Sequence, residues 1–326
     1  MGQGNQMPSA SAISDTGTAP GARALSPLQR ESWERGGYLV LPHFFGADVI
    51  DPINELIATL CDPRKRPPEL ASRVVIDLLS GTGASQRRLL ADAPAESLDR
   101  PVKFNDLFLE CDVVRACNLH PRLVAVLDDL LDGPPAICAS LNFIRGSEQV
   151  GHVDSWFMPP PADGKMVVTS VCLEDVHPDA GPLFYFPGSH TIAPYRFSTG
   201  KLNAVDGEMM QCHEYVHGAI AERGLRRETF IGRKGDVFIW ACHLAHGGTP
   251  INDPQRTRRS LVTHYWRATD MARHKLNREG PGGYYFAKYH QPIPTSPLWQ
   301  RVANRANLEL RWGLRWLKGA VAGHRS

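Results

Sequence analysis

The sequence predicts a mainly β fold with flanking helices, its core an antiparallel barrel or jelly roll. Two observations carry that prediction. From residue 136 onward, short β-branched and apolar runs alternate with Gly- and Pro-rich turns, the pattern of closed or doubled antiparallel sheets. Before that point the apolar residues fall mostly at helical spacing, so helices are expected to pack outside the strands. No internal repeat is visible, and 326 residues fit one large domain with insertions.

Taken in order, residues 1–25 are rich in Gly, Ser, Ala, Thr and Pro and can bury little, so a disordered or loosely packed arm is expected. The first helix begins at Ser26-Pro27-Leu28-Gln29. Ser26 suits the N-cap, Pro27 the first helical position and Gln29 the capping box, and Gly36-Gly37 ends the helix. Tyr38-Leu39-Val40-Leu41-Pro42 reads as a strand. Residues 47–60 place Val49, Ile50, Ile53, Leu56, Ile57 and Leu60 at helical spacing. A helical piece is expected over 70–80, a loop over 81–100, helix over 104–119, and a stronger helix over 121–131 stopped by Asp132-Gly133-Pro134. Strands are expected at 137–144, 165–175, 183–186, 228–231, 237–242 and 259–266. Residues 191–228 form a polar insertion, helical near 207–223. The domain layout is therefore an arm over 1–25, one domain over 26–295 with lid insertions near 60–100 and 191–228, and a basic amphipathic helical tail over 296–326.

Composition removes several classes of function. A net charge of +2 without a long Lys/Arg run argues against a nucleic-acid partner. Gly81-Thr82-Gly83 lacks the following Lys-Ser/Thr of a phosphate loop, and no Gly-x-Ser-x-Gly elbow of a hydrolase is present. The seven cysteines are odd in number and show no Cys-x-x-Cys pair, which reads as reduced thiols in a reducing compartment. No apolar run approaches the roughly 20 residues of a membrane span. The N-terminus lacks the basic and apolar regions of a secretory signal, so a cytoplasmic location is expected.

The stretch that carries chemistry is Gln149-Val150-Gly151-His152-Val153-Asp154. On an extended backbone, residues two apart face the same side, so His152 and Asp154 offer one nitrogen and one oxygen from one rigid segment. His246, in Leu244-Ala245-His246-Gly247-Gly248, can supply a third ligand. Two histidines and a carboxylate on one face of a metal leave three positions open, the facial triad of non-haem Fe(II) oxygenases. Arg258, in Arg256-Thr257-Arg258-Arg259-Ser260, can hold the remote carboxylate of 2-oxoglutarate as a planar bidentate pair. Gln149, Asn142 and Thr169 are expected to project toward that cosubstrate. Trp156, Phe157 and His264 are expected to wall a substrate pocket. His43, His177, His190 and His243 read as turn, loop, cap and packing residues.

Taken together, several elements resemble the phytanoyl-CoA hydroxylase-like 2-oxoglutarate/Fe(II) dioxygenases. They are Gln149-x-x-His152-x-Asp154, Leu173-Glu174-Asp175, Gly181-Pro182-Leu183, Pro187-Gly188-Ser189-His190, Gly235-Asp236-Val237, His246-Gly247 and Arg258-Arg259-Ser260-Leu261-Val262, within about residues 28–268. The resemblance implies a double-stranded β-helix (jelly-roll, cupin-like) core, Fe(II) on His152, Asp154 and His246, and 2-oxoglutarate on Arg258. It also implies ascorbate as an activator in vitro, O2 and a small molecule as substrates, and hydroxylation, desaturation or ring formation. Halogenases of this scaffold carry a small residue where Asp154 stands. Two departures accompany it. The family's serine two residues past the distal histidine is Gly248 here, and an extra residue before the Arg-Arg pair makes Arg259 an alternative to Arg258. A metal-binding barrel without oxygenase activity is the alternative reading, and a homo-oligomer is compatible with either.

Overall fold

The computed structural model describes residues 24–79, 85–93, 98, 101–280 and 282–290. The arm expected over 1–25 (apart from its last two residues) and the tail expected over 296–326 lie outside them. Leu25 is buried, and its N–H donates to Asp129. Helix α1 (Pro27–Gly36) starts as its sequence dictates. Ser26 Oγ accepts from the Gln29 N–H, the Gln29 side chain accepts from the Ser26 N–H, and Gly37 closes the helix at φ 76°.

Two sheets follow. The larger contains β1 (Tyr38–Leu41), β2 (Val75–Leu79), β3 (Ser85–Leu89), β4 (Val102–Asn105), β5 (Pro135–Phe143) and β6 (Met166–Cys172). The smaller begins with β7 (Leu183–Tyr185) and β8 (Glu228–Phe230); β9 (Val237–Ala241) returns to the large sheet, and β10 (His246–Gly248) to the small one. The large sheet also takes β11 (Ser260–Arg267), β12 (Leu276–Glu279) and β13 (Gly283–Phe286). Its order is β1-β9-β6-β11-β5-β4-β2-β3, with β13 parallel to β5 and β12 beyond it; the small sheet runs β10-β7-β8. Two antiparallel sheets face to face form the jelly-roll core that the sequence predicts.

Side-chain parity sorts the large sheet into two faces. Val167, Val171, Val237, Ile239, Leu261 and Tyr265 face outward, into a core shared with α2 (Ala47–Cys61), α4 (Asp112–Asn118) and α5 (Pro121–Leu131). Met166, Val168, Cys172, Phe238, Trp240 and Val262 face inward, toward Leu183 and Tyr185 of the small sheet. A third apolar cluster lies under α6 (Met209–Glu222), where Cys212, Val216 and Ile220 meet Val153, Trp156 and Phe197. Helix α6 is the helical part of the polar insertion.

The structure differs from the sequence expectation over 70–111. The helical piece expected over 70–80 is a single turn, α3 (Pro68–Ala71), followed by β2; the loop expected over 81–100 contains β3. The helix expected to start at 104 is the end of β4, with Asp106 at φ 52° and a 3-10 turn at Leu107–Leu109. Cross-strand pairing overrides local propensity here. Asp77 sits directly opposite Arg87 on one side and Lys103 on the other. Its carboxylate receives two hydrogen bonds of 2.8 Å from Arg87 and lies 3.4 Å from Lys103 Nζ. These three strands lengthen the large sheet past β5 and bring Lys103 and Asp106 to the central cavity.

Candidate metal centre and active site

The metal-binding candidates are built by one backbone bridge. His152 and His246 exchange both N–H···O bonds at 2.9 Å, which ties the His152 segment to the start of β10. Val153 is extended (φ −121°, ψ 141°), so His152 and Asp154 share a side, and Asp154 then opens a 3-10 turn. The result gathers His152, Asp154 and His246, all buried, with one ligand atom from each within 4.8 Å of one another. His152 Nε2 is 3.9 Å from Asp154 Oδ1, and His246 Nε2 is 3.6 Å from Asp154 Oδ2.

The hydrogen bonds around these side chains suit a metal. His152 Nδ1 lies 2.9 Å from the Val150 carbonyl and His246 Nδ1 lies 2.9 Å from the Leu244 carbonyl. A carbonyl can only accept, so both rings donate from Nδ1 and turn Nε2 toward Asp154. Burial and the neighbouring His246 push His152 down to about 4, so it is neutral at pH 7 and available as a ligand. Burial alone would raise Asp154, but His246, His264 and His152 together hold its carboxyl well below the ordinary range. A carboxylate and two imidazoles with open space beside them form the donor set of a non-haem iron site.

That open space is a cavity of about 720 Å3, within the size range of small-molecule sites. Arg258 lines it, only 7% exposed, and its Nε has no hydrogen-bond partner. Burial lowers Arg258 to about 10, which still leaves it cationic at neutral pH. A buried guanidinium without a carboxylate is costly unless a ligand completes it. Arg259 points away: its N–H donates to Glu174 and its guanidinium lies 3.7 Å from the same carboxylate. Of the two, Arg258 is the one that lines the cavity.

The other expected site residues divide. Gln149, Phe157 and His264 line the cavity. Trp156 does not; it packs edge-on against His213 of α6, ring centroids 5.1 Å apart, within the cluster under that helix. Asn142 and Thr169 are corrected as well. Asn142 pairs with Leu261, and Thr169 pairs with Ile239 and Thr263. Directly opposed residues share a face, and Leu261 and Ile239 belong to the outer core, so both side chains lie behind the sheet. His264 reaches past the cavity wall to Asp154, with Nε2 3.4 Å from Oδ1. His190 is the structural residue expected: its Nε2 lies 3.1 Å from the Glu34 carbonyl at the end of α1.

Residues that motif reading did not single out complete the site. Trp240 donates its indole N–H to Asp154 Oδ2 at 2.8 Å. His213 reaches the cavity from α6, and Lys103, Asp106, Tyr289 and His290 form a polar wall. Parity along β9 could have placed Trp240 inward beside Phe238. No local signal marks His213 or the polar wall, because chain-distant pairing brings them in. Asp106 accepts the N–H groups of Ser140 and His290, yet burial pushes it up to about 6. A carboxyl raised above its unfolded value adds stability that is complete below about pH 4 and is lost as the pH rises through about 6. Denaturation across that window should reveal a contribution of roughly 3 kcal/mol that Asp106→Asn does not titrate.

Gly248 has its own logic. A Cβ there would lie 2.8 Å from both Ser147 Oγ and the Glu148 N. The space a side chain would fill is taken by the 146–150 loop, which Gly248 itself anchors by donating its N–H to the Gln149 carbonyl at 2.9 Å. Installing the family's serine, Gly248→Ser, should therefore destabilise the protein by about 1–3 kcal/mol through overpacking, measurable by denaturant unfolding.

A metal centre of this composition, opening on a cavity that also holds a buried arginine, defines the class: Fe(II)/2-oxoglutarate-dependent dioxygenases with a jelly-roll core. The chain belongs to the phytanoyl-CoA dioxygenase family, whose sequence profile matches residues 33–260. No curated protein sequence matches it. Among solved structures, it is similar to the non-haem α-ketoglutarate-dependent carbocyclase SnoK from nogalamycin biosynthesis (16% identity over 76% of this chain and 87% of that one, TM-score 0.56). It is also similar to the epimerase SnoN in complex with Fe3+, α-ketoglutarate and nogalamycin RO (19% identity, 74% and 83% covered, TM-score 0.54). A third similar structure is EctD from S. alaskensis with 2-oxoglutarate and 5-hydroxyectoine (18% identity, 80% and 82% covered, TM-score 0.52). At these identities the likeness speaks for the fold.

Proposed function

We propose that His152, Asp154 and His246 hold Fe(II), that Arg258 anchors the remote carboxylate of 2-oxoglutarate, and that the enzyme hydroxylates an unactivated C–H of a small molecule. The observation that carries this reading is the convergence of three buried ligand groups, two of them imidazoles, on a cavity that also contains a buried guanidinium whose Nε has no hydrogen-bond partner. When bound, the iron would activate O2 as the oxidant with 2-oxoglutarate as the two-electron co-reductant, one oxygen atom going into succinate as CO2 leaves and the other into the substrate C–H. The chain's own residues position and shield. The 2.9 Å bonds from His152 and His246 to backbone carbonyls fix both rings. Arg258 sets the depth of the cosubstrate by a bidentate pair. Helix α6 and Phe157 cover one side of the cavity and His213 projects into it, so the 191–228 insertion acts as a lid that limits water and selects substrate. The carboxylate at Asp154 occupies the position a halide would need, which favours hydroxylation and, next to it, desaturation or ring formation.

A cytoplasmic location fits the six buried cysteine thiols. Among the described residues no helix is long and apolar enough to cross a membrane. The proposal is tested by incubating the protein with Fe(II), ascorbate and 2-oxoglutarate and following succinate, then searching candidate small molecules for one added oxygen by mass. Succinate that depends on iron supports it. A protein that neither binds 2-oxoglutarate nor forms succinate is a metal-binding barrel instead.

A further inference from the structure

A carboxylate that holds iron through one oxygen must have its second oxygen and its plane fixed by something else. In this protein a single row across three strands meets that need. His264 on β11 lies opposite Val168 on β6, and Val168 lies opposite Trp240 on β9. Opposed residues share a face, so all three point into the barrel. The outer two strands of such a row stand about 9.5 Å apart. Val168 is short, which leaves room above it for the Asp154 carboxylate. Trp240 Nε1–H donates to Oδ2 from one end at 2.8 Å, and His264 Nε2 meets Oδ1 from the other at 3.4 Å. Trp240, His264 and Asp154 are 1%, 3% and 6% exposed, so water does not compete for these contacts.

The row is itself held. The register of β11 against β5 shifts between His264 and Tyr265, a local irregularity at the residue that reaches Asp154. Cys138 Sγ donates to the His264 carbonyl at 3.3 Å, and Tyr38 pairs with Trp240 from the far side. His264 Nδ1 has no hydrogen-bond partner, so the ring has one contact to serve, and its proton belongs on the Nε2 that faces the carboxylate.

We infer that Trp240 and His264 are positioning residues that clamp Asp154 between two N–H donors, keeping the carboxylate to one oxygen at the metal and the remaining coordination positions free for cosubstrate and O2. This rests on the proposed iron site. The readout is anaerobic titration of Fe(II) in the presence of 2-oxoglutarate, followed by the visible charge-transfer absorption of the ternary complex, with thermal unfolding of the metal-free protein in parallel. Trp240→Phe keeps the ring and deletes the donor. It should weaken Fe(II) binding by about 10–100-fold and shift the absorption band. His264→Phe should weaken binding in the same direction, while His264→Gln, which retains an N–H, should recover most of it. Rescue by glutamine is what a purely structural role would not produce. The inference is overturned if Trp240→Phe and His264→Phe bind Fe(II) with wild-type affinity and an unshifted band. It is also overturned if His264→Gln is no better than His264→Phe, or if weaker binding merely tracks a lower unfolding temperature. Should Trp240→Phe fail to fold, the two His264 variants decide alone. A wild-type protein that gives no such complex at all would instead defeat the iron-site reading beneath it.

Discussion

Asp154→Ala protein is expected to form no succinate above the metal-free background. The substitution removes one of three ligands, so the fall in Fe(II) affinity should exceed the roughly 10–100-fold that loss of a supporting partner costs. It should also leave two buried donors, the Trp240 indole and His264 Nε2, facing a void. Buried donors without acceptors cost about 1–3 kcal/mol each, so the alanine protein should also unfold more easily than wild type. Asp154→Asn separates the two effects. The amide oxygen can still accept from Trp240 and the shape is kept, while its NH2 faces the His264 donor, so stability should return in part while turnover stays lost. Fe(II) affinity and succinate yield, measured beside thermal unfolding for both variants, check this pair of expectations. Full activity in Asp154→Ala would remove the residue from the iron site.

Arg258→Gln carries the second large effect. The guanidinium is buried, cationic and without a protein partner at Nε, so its binding contribution should be realised when a carboxylate arrives. Removing one member of a buried charged pair costs about 3–5 kcal/mol. This corresponds to a loss of roughly two to four orders of magnitude in affinity for 2-oxoglutarate. The effect should fall on KM for 2-oxoglutarate and leave Fe(II) binding almost unchanged. Arg259→Gln is the control: its guanidinium is 36% exposed beside Glu174, where an ion pair is worth about 1 kcal/mol or less. Steady-state succinate formation at graded 2-oxoglutarate distinguishes them, and equal KM values for the two variants would contradict the assignment of Arg258.

The parts of this molecule that were legible in its sequence are those with short-range physics. The capping box at Ser26 and Gln29 and the αL glycine at Gly37 are local, and they appear as read. So do the β-branched run that becomes β6 and the helical stretch that becomes α6. The metal triad was legible because His152 and Asp154 are two apart on extended backbone, and because Arg258 and His246 stand in a recognisable order. The choice between Arg258 and Arg259 was open in sequence, because an inserted residue disturbs alignment; in the structure Arg258 lines the cavity and Arg259 turns to Glu174. Asn142 and Thr169 failed for the same reason in reverse. Their parity depends on which face of β5 and β6 is the inside, and only the pairing with Leu261 and Ile239 reveals that. The strands over 75–105 were hidden because Asp77, Arg87 and Lys103 read as surface charges until they meet across β2, β3 and β4. His213, Tyr289 and His290 come to the cavity from α6 and from the far end of the described chain, and no local pattern marks such an approach.

The central claim is that one cavity holds a metal on His152, Asp154 and His246 and a keto acid on Arg258. The most direct measurement is calorimetric titration of 2-oxoglutarate into protein loaded anaerobically with Fe(II), repeated without metal and with Arg258→Gln and His246→Ala. One equivalent of tight binding is expected in the loaded wild-type protein, with a collapse of affinity in the other three cases. Absence of binding in the loaded wild type, or equal binding in all four, would contradict it.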